Sequence, residues 1–235
     1  MNGKPVHGEG WLNPALLRWQ WRRHRWLNLF ALILSMGILA VLFLNSLKEL
    51  PWSGNIVTLG VIVAGTSGLT AVRDTAGAFL LTLPVSRWQI FNTLVLGTLV
   101  PWLLLAVIPA VFALVVSSGR AIASPSHFLN APAAFYLVFL LWTLTFYMAS
   151  VYQGCYVFTH GFSFEPKPKA ARPAHFLSII WLLVMGLFFT GDRVWASHQV
   201  IAVVSACGPA LAVLSLLLAV LSYRAGWRLF RTLEF

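Results

Sequence analysis

Few side chains in this sequence are of a type that does chemistry, and their placement separates them. Gly65-Thr66-Ser67-Gly68 sets a serine among small residues, in the G-x-S-G form of a nucleophile turn. A serine attacks only when a base lies within hydrogen-bond reach. The six histidines, His7, His24, His127, His160, His175 and His198, fall at or outside the boundaries of the apolar stretches. Only inner-side histidines such as His160 and His175 come near Ser67 in register, so packing explains the small residues better than catalysis does. No histidine pair has H-x-x-x-H ligand spacing, and no metal site is expected. Cys155 and Cys207 lie inside apolar stretches and read as small buried hydrophobes. There is no G-x-x-x-x-G-K-[ST] run, so the chain does not cradle nucleotide phosphates by itself. No catalytic residue and no cofactor of its own are expected.

The elements that carry these residues are apolar helices. Lys, Arg, Asp, Glu and His are absent from Leu27–Leu47, Ile56–Val72, Phe91–Gly119, Ala133–Thr159, Phe176–Gly191 and Gln199–Tyr223. Most of these stretches have the length of a helix that crosses about 30 Å of hydrocarbon. The chain is 59% hydrophobic and 9% charged, against roughly a quarter charged in soluble domains. It reads as an all-α integral membrane protein with six transmembrane helices. Proton relays, voltage sensors and ion-coupled carriers need ionisable groups at membrane depth. The spans hold none, so the energy for any transport is expected from outside the bilayer.

Charge placement orients the chain. With the N-terminus cytoplasmic and six alternating spans, the inner side holds 13 of the 16 Lys and Arg residues; Lys48, Arg120 and Arg193 are outside. That is a positive-inside bias. Both termini are then cytoplasmic, and nucleic acid is not a partner. The first span is expected to serve as an uncleaved signal anchor. The units are an N-terminal region with an interfacial helix at 1–26, a transmembrane domain at 27–223 and a basic tail at 224–235.

Local signals refine this layout. Asn13 caps a helix with Pro14 in its first turn, and the Trp and Arg residues of 11–26 suit a helix in the headgroup layer. Gly60, Ala64 and Gly68 form a small-residue stripe for close helix approach. Pro101 and Pro109 bend the third span. The segment 164–175 is proline-rich and basic, and reads as extended. In the sixth span Ala202, Ala206 and Ala210 share a face beside a bend at Pro209. The tail reads as an amphipathic basic helix along the inner surface.

The segment AVRDTAGAFLLTLPVSRWQIF at 71–91 is cytoplasmic yet half apolar. Asp74 or Thr75 caps a short helix through Leu83, Pro84 ends it, and Ser86 with Gln89 forms a capping box for the next helix. An apolar helix facing the cytosol needs a cover. LLTLPVSRWQIF resembles the segment between the second and third spans of ABC-2 type permeases, of the form L-x-x-L-P-V-S-R-x-x-I. The layout is similar along the whole chain, and the specific match is Leu80–Phe91. The acidic residue and glycine that often precede the leucines in that family are shifted here, to Asp74 and Gly77.

The resemblance implies that 74–83 is a coupling helix, within a coupling segment at 73–90, that docks on an ATPase. Arg73, Asp74, Phe79, Leu80, Leu81, Leu83, Pro84 and Arg87 would belong to that contact. The helix at 14–25, with Arg18 and Arg22, would make a second one. The expected function is the transmembrane permease subunit of an ABC-2 transporter, most simply an exporter. Two copies of a separate ATPase would bind ATP and Mg, and a second permease copy, identical or paralogous, would complete the pair. Thr66 and Ser67, beside Gly60, Ala64 and Gly68, would line the path of an amphiphilic or apolar cargo. The alternatives are a carrier not driven by ATP, or a membrane scaffold.

Overall fold

The computed structural model of the chain describes residues 12–47, 59–60, 62–67, 85–118, 129, 131–160 and 198–232. Among them every regular element is helical and no strand occurs. The helices are α1 (Pro14–Arg23), α2 (Arg25–Leu47), α3 (Arg87–Trp102), α4 (Ile108–Ser118), α5 (Ala133–His160), α6 (His198–Ala206) and α7 (Gly208–Arg231). Residues 62–67 add a short helical piece. Four stretches are long and apolar enough to cross a membrane: Arg25–Leu44, Arg87–Val116, Ala133–Tyr156 and Gly208–Arg231. The protein thus has the build of a multi-pass membrane protein. The second span is described only in part. The fifth, at 176–191, lies outside the described residues, as does 164–175.

α1 and α2 form almost one rod, interrupted only at His24, which leaves helical geometry. His24 N–H bonds Gln20 O at 2.9 Å and Asn28 N–H bonds His24 O at 2.9 Å, so the helical ladder passes through the break. The inward face repeats every three or four residues: Gln20, His24, Asn28, Ala31, Ser35, Ile38 and Leu42 are all buried. Its lower half is polar and its upper half apolar.

Pro109 follows a change of helical pitch in the third apolar stretch. α3 passes into α4 through one π-helical stretch, Leu103–Val107, in which Ile108 N–H bonds Leu103 O. That leaves Leu104 O without its usual donor at i+4. The i+5 residue is Pro109, which has no N–H. The Ser35 hydroxyl of α2 donates to Leu104 O at 2.7 Å instead. Such π-bulges are a recognised cause of helix bending.

α5 and α7 form the largest interface between described helices and run parallel. A Cβ at Gly208 would stand 3.6 Å from Ala134 Cβ, Thr145 Oγ1 donates to Ser215 O at 2.7 Å, and a Cβ at Gly226 would stand 3.6 Å from Tyr152 Cα. α5 is the most enclosed span, with Phe135, Tyr136, Tyr147 and Tyr152 buried.

Two expectations are corrected. The basic tail is not a separate surface helix: α7 is unbroken to Arg231, because nothing between Tyr223 and Arg231 breaks a helix. The break falls earlier, at Cys207, with Pro209 in the first turn of α7, where its missing N–H costs nothing. Cys155 is buried as expected, but Cys207 is exposed at that break. Ala202, Ala206 and Ala210 are exposed too, so their stripe faces away from the described bundle.

Candidate functional site

One end of the bundle gathers the elements that sequence reasoning singled out. α1 begins where expected: Asn13 Oδ1 accepts from Ala15 N at 3.0 Å and Leu16 N at 3.2 Å, with Pro14 as the first helical residue. α1 lies across the first turns of α3, with Leu16 and Trp19 beside Ile90, Thr93 and Leu94. Gln20, fully buried, donates from Nε2 to Leu94 O at 3.1 Å. The approach needs Gly97, since a Cβ there would run into the Gln20 amide.

The start of α3 is held equally firmly to the end of α7. Ser86 Oγ accepts from Gln89 N at 3.2 Å, so the hydroxyl half of the expected capping box forms. Arg87 Nη1 donates to Arg231 O at 2.6 Å. That carbonyl is in the last turn of α7, where carbonyls lack helical donors and the helix dipole favours a cation. Phe91 packs on Tyr223, Trp227 and Phe230 with ring centroids 5.3, 5.6 and 5.4 Å away. Trp88 meets Trp227 edge-on at 4.8 Å. The Tyr223 hydroxyl donates to Asn92 Oδ1.

The charge pattern at this end is one-sided. Every charged side chain among the described residues is an arginine: Arg18, Arg22, Arg23, Arg25, Arg87, Arg224, Arg228 and Arg231. All eight are exposed, and all sit on α1 or at the α1–α2, α3 and α7 termini that meet here. Arg18 and Arg22 therefore lie on the side of α1 turned away from α3.

The remaining coupling residues, Arg73, Asp74, Phe79, Leu80, Leu81, Leu83 and Pro84, lie outside the described residues, as does Gly68. Chain description resumes at Val85, directly before the α3 cap.

The stripe of the second span packs as small residues allow. Ala64 is buried, and a Cβ at Gly60 would press on the Ile38 side chain and stand 3.6 Å from Leu105 O. Gly65 is pressed closer still, against the Phe146 ring. Thr66 Oγ1 donates to Ile62 O at 2.8 Å, and Ser67 Oγ lies 2.7 Å from Ala64 O and 3.2 Å from Thr98 O. These hydroxyls bond backbone carbonyls, a helix-packing role. A hydroxyl seam continues inward: Tyr147 donates to Val95 O and pairs with Thr98 Oγ1 at 2.7 Å, and Trp102 Nε1 donates to Thr143 Oγ1 at 3.1 Å. Among the described residues no three His, Cys, Asp or Glu side chains group as metal ligands.

Sequence reasoning missed Gln20, Asn92 and Asn28. The available signal was their chemistry: single uncharged polar residues in otherwise apolar or basic helices, each at helical spacing from an apolar neighbour that proves buried. No family model, no curated protein and no solved structure matches the chain.

Proposed function

We propose that this chain is the membrane subunit of an ABC-2 type transporter in the bacterial inner membrane, driven by an ATPase supplied as a separate subunit. The supporting observation is the convergence of α1, the α3 cap and the end of α7 at one arginine-rich end, with Val85 continuing directly from the Leu80–Pro84 motif. A coupling helix at 74–83 would precede that end of α3 in the chain, and Arg18 stands exposed on α1 at the same end. A subunit docking there would have two contacts to meet.

The arginine-rich end is cytoplasmic under the positive-inside rule. Six spans fit the helix directions. α5 and α7 run parallel, and parallel neighbours need an odd number of crossings between them, which a fifth span at 176–191 would supply. α2 and α3 both start at the basic end and need one crossing between them, on which 62–67 lie. Two permease copies and two ATPases make the working unit, ATP and Mg stay on the ATPases, and export of an amphiphilic or apolar cargo suits spans without charge.

The first test is purification from the native host in mild detergent. An ATPase with a Walker-type site should co-purify in equal amounts. Leu80→Asp with Leu81→Asp should abolish that association, because two carboxylates cannot be buried in an apolar groove without partners. The variant should still insert in the membrane. Recovery without any ATPase would assign the chain to a scaffold or a carrier not driven by ATP.

A further inference from the structure

The outer face of the first rod places cationic and apolar groups in the order of a phospholipid. Arg22 and Arg25 stand at the α1–α2 corner, exposed. Trp26 follows, 68% exposed, then Phe30, Ile33 and Met36 at successive turns, each more than half exposed. The stripe runs from the charged end into the apolar belt without interruption. The Arg25 guanidinium rests 5.3 Å from the Trp26 ring centroid, within cation–π reach. On the opposite flank of the corner, Arg23 lies 5.4 Å over Trp19. No described arginine makes an ion pair with a carboxylate among the described residues, and all six Asp and Glu lie outside them.

We propose that this corner is a binding site for an anionic phospholipid: the headgroup phosphate sits between Arg22 and Arg25, Trp26 packs at the glycerol level, and an acyl chain lies along Phe30, Ile33 and Met36. The continuity of the cationic pair with a lipid-facing stripe selects a lipid over a soluble anion, which would leave the tryptophan and the aliphatic run without a role. Membrane surfaces rich in anionic lipid attract basic residues at this depth, and Trp settles at the same level. The site depends on the membrane character of the chain and not on the transporter reading.

The test is native mass spectrometry of the purified full-length protein, followed by exchange into nanodiscs of phosphatidylcholine alone or with phosphatidylglycerol. The wild type should retain phosphatidylglycerol selectively and unfold at a higher temperature in its presence. Arg22→Gln with Arg25→Gln should weaken that retention about 25-fold, at roughly fivefold per arginine near the surface. Arg224→Gln with Arg228→Gln, at the other side of the same end, should leave it nearly unchanged. Arg22→Lys with Arg25→Lys keeps the charge, guards against a folding defect, and should retain most binding. Equal retention of the two lipids by the wild type would overturn the proposal. So would equal loss in both glutamine pairs, which is a diffuse charge effect, or displacement of the lipid by inorganic phosphate, which is a soluble-anion site.

Discussion

At the residue scale, close helix contact here depends on positions where even one methyl group has no room. Gly65 lies against the Phe146 ring, and an added Cβ would overlap it. Overpacking of this kind typically costs about 1–3 kcal/mol. Gly65→Ala should therefore lower the melting temperature in detergent. Adding Phe146→Leu should restore most of the loss, because the smaller side chain vacates the contested volume. A double variant as unstable as Gly65→Ala alone would place the strain elsewhere. The caps at Asn13 and Ser86 were legible in the sequence, because a cap depends on neighbours two or three residues away. Gly65 was not: its constraint comes from Phe146, some eighty positions on, and only the stripe beside it at Gly60 and Ala64 was visible as a pattern.

At the element scale, the bend in the third span is a shared property of two helices. The prolines announce a bend, but the orphaned carbonyl belongs to Leu104 and its donor is Ser35 on α2. Ser35→Ala should cost about 1 kcal/mol, in the range of hydrogen bonds inside membranes. In a Pro109→Ala background the new N–H provides an alternative donor for the freed carbonyls, so Ser35→Ala should cost less there. A double-mutant cycle on unfolding free energy measures the difference. Equal costs in both backgrounds would separate Ser35 from the proline. The same scale explains the tail. Charge made 224–231 read as a surface helix, yet the backbone has no reason to stop at Tyr223, and Phe91 of α3 holds Trp227 and Phe230 in register with the span.

At the scale of the whole molecule, the described arginines are sorted to one end by the helix directions, and that end is expected in the cytoplasm. Thr232→Cys in a Cys207→Ser background tests the orientation directly, since Cys155 is buried and Cys207 is the exposed thiol. A membrane-impermeant maleimide should label Thr232→Cys in inverted vesicles and not in intact cells. Labelling of intact cells would reverse the topology and remove the cytoplasmic site for an ATPase. The sequence alone determined the apolar helical class, the positions of most helix starts and the exclusion of charge from the spans. Each of these follows from local composition and from the length of hydrocarbon to be crossed. Only the tertiary structure decided that α1 rests on α3 through Gln20 and Gly97, that α5 and α7 pack against each other, and that Thr66 and Ser67 bond backbone carbonyls. These depend on which helix faces meet, and apolar faces in a membrane protein carry too little contrast for sequence periodicity to reveal the pairing.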